Sequence, residues 1–138
     1  MSDSNLGPKN IQAYLQTLMA WMRLNDWTIM WDSEYPSSSP DVLAEISIEE
    51  PYQQASVRTH IHFFTFSAER QRAVLVHELL HCYTERLTNI SYSLARGERE
   101  MRNVLRDANE YSVDGLSQIL SPHLPLPVLK KARKKRKR

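Results

Sequence analysis

Cysteine is almost missing from this chain: Cys82 is the only one among 138 residues. No intrachain disulfide can form, so packing alone must hold the fold, and a reducing cytoplasmic setting is expected. Long apolar runs are also missing. Nothing approaches the roughly 18 uninterrupted apolar residues that a membrane span needs, which excludes that class of partner. The opening MSDSNLGPKN lacks the basic and apolar regions of a secretory signal. What remains is ordinary for a globular chain: 41% hydrophobic and 25% charged residues, enough for one hydrophobic core.

Acidic residues are absent from the C-terminal end. Lys130, Lys131, Arg133, Lys134, Lys135, Arg136, Lys137 and Arg138 hold 8 of the 18 basic residues, leaving 10 basic against 16 acidic residues, a net −6, over residues 1–129. The division expected is therefore a folded domain at 1–129 and a disordered cationic tail at 130–138, since like charges repel and nothing there can pack. Such a tail can attract nucleic acid or another polyanion by counterion release, or serve only solubility. It has no aromatics and so specifies no base readout.

Within the domain, Ile11, Leu15, Leu18 and Met22 recur at helical spacing and predict a core-facing helix over about 9–25. Strand-like alternation follows in WTIMWDSE (27–34), VLAEISIEE (42–50) and SVRTHIHFF (56–64), separated by YPSSSPD (35–41) and Pro51. Short connections make an antiparallel three-stranded meander the economical arrangement. Trp27 and Trp31 read as core, and His60 and His62 fall on one strand face bordering a cleft or solvent. Ser67 can cap a second helix running to about Asn89. ISYSLARGE reads as a surface loop, and a last helix spans about 98–120 before SPHLPLP stops it. The fold class is α+β, with helices packed on a small sheet.

The second helix carries unusual cargo. In AVLVHELLHCYTERL (73–87), His77, Glu78 and His81 interrupt an almost unbroken apolar run. Unpartnered ionisable groups in such a setting cost several kcal/mol each, roughly, so a partner is implied. His77 and His81 are four apart and project from one side, able to reach one tetrahedral metal at about 2.0–2.1 Å. Glu78 then lies beside the site, placed as general base and acid toward a water that zinc acidifies to a pKa of roughly 7. Chance produces HExxH in roughly 1 of 80 chains of this composition, so the apolar context carries much of the weight. Cys82 sits about 100° round the helix from His81 and reads as packing.

Zinc needs a third protein ligand. Position 87 is Leu and position 84 is Thr, which excludes the metzincin pattern of a third histidine. The gluzincin pattern takes a glutamate from a following helix as ExxxD, and NEYSVD supplies Glu110 and Asp114. Glu98 and Glu100 are competing acids, but RGEREMR reads as an exposed first turn.

With LNDWTIMWD before the strands, VHELLH, and EYSVDGLSQIL after it, residues 9–120 resemble a minigluzincin, the reduced gluzincin core found also among small phage-encoded zincin-like metallopeptidases. The resemblance implies a zincin-like fold and a zinc-dependent metallopeptidase, in the host cytoplasm if phage-encoded. Zn²⁺ would be held by His77, His81 and Glu110, with Glu78 as base and Asp114 behind His77. It also implies that the strand before the HExxH helix, here around 56–64, is an edge strand that aligns a peptide or protein substrate. Spacing does not choose an oxyanion stabiliser among Tyr83, Tyr92, Tyr111 and His123. No pro-segment is evident, so a narrow site or a single protein substrate is expected, acting as a monomer. Two rivals remain: a structural zinc domain that binds nucleic acid through the tail, and a zinc amidase acting on a non-protein substrate.

Overall fold

The computed structural model describes residues 5–33, 41–49 and 52–128. Eight elements follow one another: α1 (Ile11–Trp21), β1 (Thr28–Trp31), β2 (Ala44–Glu49), β3 (Gln54–Thr59), a 3-10 turn (Ile61–Thr65), α2 (Ala68–Leu94), α3 (Arg99–Leu120) and a second 3-10 turn (Ser121–His123). This is an α+β chain: three helices and a three-stranded mixed sheet. The core is a cluster in which Leu15 and Leu18 of α1, Ile29 of β1, Val57 of β3, and Leu75 and Leu79 of α2 are fully buried. Trp27 and Trp31 are only partly buried and pack at its border.

The strand order is β1-β3-β2, which corrects the expected meander. β3 runs parallel to β1, with Thr28 opposite Gln54, and antiparallel to β2, with Ala44 opposite Thr59. The expectation rested on short connections, and it fails at the stretch from Asp32 to Leu43. That stretch is long enough to carry β2 past the neighbouring position, and β3 then returns into the middle. The segment expected to be a substrate-aligning edge is therefore the central strand, and β2 lies at an edge.

The two edges are treated differently. At β1, Gln12 of α1 closes the backbone: its amide nitrogen donates to the Ile29 carbonyl at 3.1 Å and its oxygen accepts from Trp31 N–H at 2.7 Å. At β2, the register and the bond from His60 N–H to the Leu43 carbonyl (2.8 Å) turn the odd-numbered residues toward β3. Ladder alternation then points the N–H and C=O of Ala44 and Ile46 outward, toward α2.

The expected third strand also ends early. His60 caps the 3-10 turn, its Nδ1 accepting from His62 N–H at 3.2 Å, and the two imidazoles stack at 4.8 Å. They sit on a turn rather than a strand face, which is the geometry that lets Phe63 drop into the core. Gln71 locks this turn and the N-terminal segment to α2. Its side chain accepts from Leu6 N–H at 2.7 Å and donates to the carbonyls of Leu6 (3.3 Å) and Phe63 (3.1 Å).

α2 begins where Ser67 accepts from Arg70 N–H at 3.3 Å. It continues beyond the expected end, taking in most of ISYSLARGE, and stops only at Ala95. Arg96 and Gly97 then adopt left-handed φ values of 48° and 81°, and it is the glycine that accepts this conformation without strain. The reversal lays α3 back along α2, where it buries only Val113 and Ser117. Beyond it, Tyr14 donates to the Pro125 carbonyl (2.7 Å) and Arg72 to that of Leu124 (2.8 Å), strapping the chain end across α1 and α2. Residues 34–40 of the expected loop and the basic tail at 130–138 lie outside the described residues.

Candidate metal centre

One buried helix and one exposed helix meet to form the site. α2 is held by the core on the side of Leu75 and Leu79, which turns His77 and His81 toward α3 with 21% and 12% of their side chains exposed. From α3, Glu110 reaches both rings: Oε2 lies 3.3 Å from His77 Nε2, and Oε1 lies 3.3 Å from His81 Nε2. One ligand atom from each of the three residues falls within 4.8 Å of the others, and no other such cluster of three occurs among the described residues.

These distances test the fit to a metal. Four ligands about 2.0–2.1 Å from a tetrahedral ion stand roughly 3.4 Å from one another. Charge-assisted hydrogen bonds between imidazole and carboxylate are shorter, about 2.7–2.9 Å. The 3.3 Å separations are longer than such hydrogen bonds and run to the two different oxygens of Glu110, and one donor atom from each residue lies within 4.8 Å of the others, a grouping that could hold an ion. Protonation agrees as well. Burial lowers the pKa of His81, and His77 beside it acts in the same direction while Glu110 opposes. The neutral imidazole so favoured is the form that donates a lone pair. On the far side of His77, Nδ1 lies 3.6 Å from Asp114 Oδ1. Both ring nitrogens thus face an acid, Nε2 the nearer Glu110 and Nδ1 the farther Asp114.

Glu78 is 8% exposed. Burial first, then Glu110 and Glu45, raise its pKa to about 8, and a hydrogen bond from the Ile46 backbone N–H pulls the other way. That bond comes from the outward edge of β2, so the carboxylate is anchored between the helix and the strand.

The cluster opens onto a cleft of about 810 Å³ between β2, α2 and α3, its far wall formed by residues 41–46. Tyr92 lines this cleft, as do Asn109 and Arg106, which the sequence reading passed over. For Arg106 the signal is helical spacing, since it sits four positions before Glu110 and shares its side of α3.

The other oxyanion candidates are not brought to the cleft. Tyr111 is 84% exposed because one step along α3 from Glu110 rotates it by about 100°. Tyr83 donates instead to the Met22 carbonyl at the end of α1, and His123 lies in the last 3-10 turn outside the cleft lining. Glu98 caps α3 and Glu100 is in its first turn, both apart from the cluster.

Cys82 is buried beside the site but turned into the core. Burial, and secondarily Glu85, push its thiol up to about 12. A raised folded-state pKa means that the folded chain keeps a proton that the unfolded chain releases, so this contribution to stability is complete below pH 9 and is lost as pH rises toward 12. At pH 8 the native thiol is expected to react with a disulfide reagent at least about 100-fold more slowly than the chain in denaturant. Equal rates in the two conditions would place Cys82 at the surface.

No helix among the described residues is long and apolar enough to cross a membrane. No family model, curated protein or solved structure matches this chain.

Proposed function

We propose that this chain is a zinc-dependent metallopeptidase with a zincin-like fold of the minigluzincin kind, working in a reducing cytoplasm. The observation that carries the reading is the convergence of His77, His81 and Glu110 beside a buried Glu78 at an open strand edge. His77 and His81 would hold zinc through Nε2 and Glu110 through a carboxylate oxygen. Bound there, the ion would supply a Lewis acid for a carbonyl oxygen and acidify a water. Glu78, buried beside these ligands and facing the cleft, would accept a proton there and return it to the leaving amine. Its bond to Ile46 N–H keeps the carboxylate aimed at the cleft. Asp114, 3.6 Å from His77 Nδ1, is the carboxylate that would orient that ring from behind with Nε2 toward the ion.

Ala44 offers the outward N–H and C=O that an extended peptide would pair with along β2, a role transferred from 56–64 by the strand order. The test is zinc content of the purified chain, by elemental analysis, together with hydrolysis of an unfolded protein with and without chelator. About one zinc per chain and chelator-sensitive cleavage are expected. Zinc with no cleavage of any peptide would favour a structural site or an amidase, and absence of zinc would remove the reading.

The charge of the tail supports a second reading for residues 130–138, as a contact for nucleic acid or another polyanion. Deleting them is expected to weaken salt-sensitive RNA or DNA binding at least tenfold while leaving zinc content unchanged. Unaltered binding by the shortened chain would show that the contact lies elsewhere.

A further inference from the structure

α2 is too long for the body it packs on. Its 27 residues extend about 40 Å, and the face that buries Val76 and Leu80 continues toward the tip as Tyr83, Leu87, Ile90 and Leu94. Those six positions are spaced 4-3-4-3-4, the apolar seam of a coiled coil. The first two are 0% and 7% exposed, and the last four are 50–76% exposed. Met101 and Val104 of α3 are also exposed. A groove of about 400 Å³, with Ser91, Leu94, Met101 and Leu105 among its lining, joins the two helices on this side. On α2 the seam lies about a third of a turn away from His77 and His81, so the candidate metal centre and the unpartnered apolar surface occupy different faces of the helix.

We infer that this surface pairs with a second copy of the chain, α2 of each copy lying against α3 of the other in a four-helix arrangement. Two observations select that occupant. The heptad spacing calls for a helix as partner, because knobs at these positions need the holes of a facing helix. The area is adequate: the six exposed side chains leave on the order of 600 Å² bare, at the upper limit for a monomer. Two copies would then bury roughly 1,200 Å², where specific interfaces begin. The chain's own residues 130–138 are eight cations and one alanine and have nothing apolar to fill the groove. The inference does not depend on what the metal centre does.

Sedimentation equilibrium of the full chain between about 1 and 100 µM decides it. Wild type is expected at twice the chain mass at the upper concentration, and Leu87→Glu/Leu94→Glu at the single-chain mass at every concentration. Unchanged far-UV circular dichroism would show that the variant is folded, as the exposure of both positions predicts. A wild-type chain that stays single at 100 µM would overturn the inference. So would a dimer that Leu87→Glu/Leu94→Glu leaves intact, or a seam that binds another protein's helix in preference to its own copy.

Discussion

Glu78→Gln is expected to leave zinc bound at the wild-type level and to lower peptide hydrolysis by about 10²–10⁴, the range that a positioned general acid–base contributes. The argument rests on where the carboxylate sits. It is buried and its pKa is raised to about 8, so near neutral pH the metal-free side chain is already mostly uncharged and an amide of the same shape should not unfold the helix. The amide oxygen can still accept from Ile46 N–H, which preserves the tie between α2 and β2. What glutamine cannot do is take a proton. Loss of turnover with retained zinc and an unchanged melting temperature therefore isolates proton transfer. Cleavage by Glu78→Gln at the wild-type rate would take the residue out of the mechanism, and loss of zinc as well would make it a structural part of the site.

Glu110→Ala should have the opposite signature. Removing the proposed ligand from α3 would leave two imidazoles on one helix, and zinc is expected to fall from about one per chain to a small fraction after dialysis. Stability carries the same information. Zinc present at about 100 times its dissociation constant adds roughly 2.7 kcal/mol to the folded state. For a chain of this length that is a shift of roughly 10 °C in Tm. Because the Glu110 side chain is 51% exposed, the metal-free proteins should melt within a degree or two of each other. The difference should appear only when zinc is added, to wild type and not to the variant. If zinc stabilises both proteins equally, the third ligand is not Glu110, and Asp114, 3.6 Å from His77, becomes the next residue to replace.

His77, Glu78 and His81 stood out in the sequence because helical periodicity is local. A residue's direction on a helix follows from its number alone, and ionisable groups among Val74, Leu75, Leu79 and Leu80 are conspicuous at any length scale. Glu110 was reachable for a different reason. ExxxD at a suitable distance matches a known pattern, and the tight reversal at Arg96 and Gly97 makes α2 and α3 antiparallel neighbours. Helix ends were harder to read: ISYSLARGE looked like a loop because it is polar, yet most of it extends α2. Polarity marks exposure, and an exposed helical tip satisfies it as well as a loop does. Alternation likewise located all three strands, but it ran past Thr59, where the chain changes to a 3-10 turn so that Phe63 can enter the core.

By itself, then, the sequence determined the α+β composition, the helix that carries the two histidines and the glutamate between them, and the acid that could join them. Tertiary structure alone decided that β3 lies between β1 and β2, that the open edge beside the cleft belongs to β2, that Tyr92 reaches the cleft while Tyr111 does not, and that the seam of α2 runs bare beyond the core. The physical reason is common to all four. Periodicity states which way a side chain points from its own element, whereas strand order and exposure depend on what a long connection allows to pack against that element, and no local pattern encodes it.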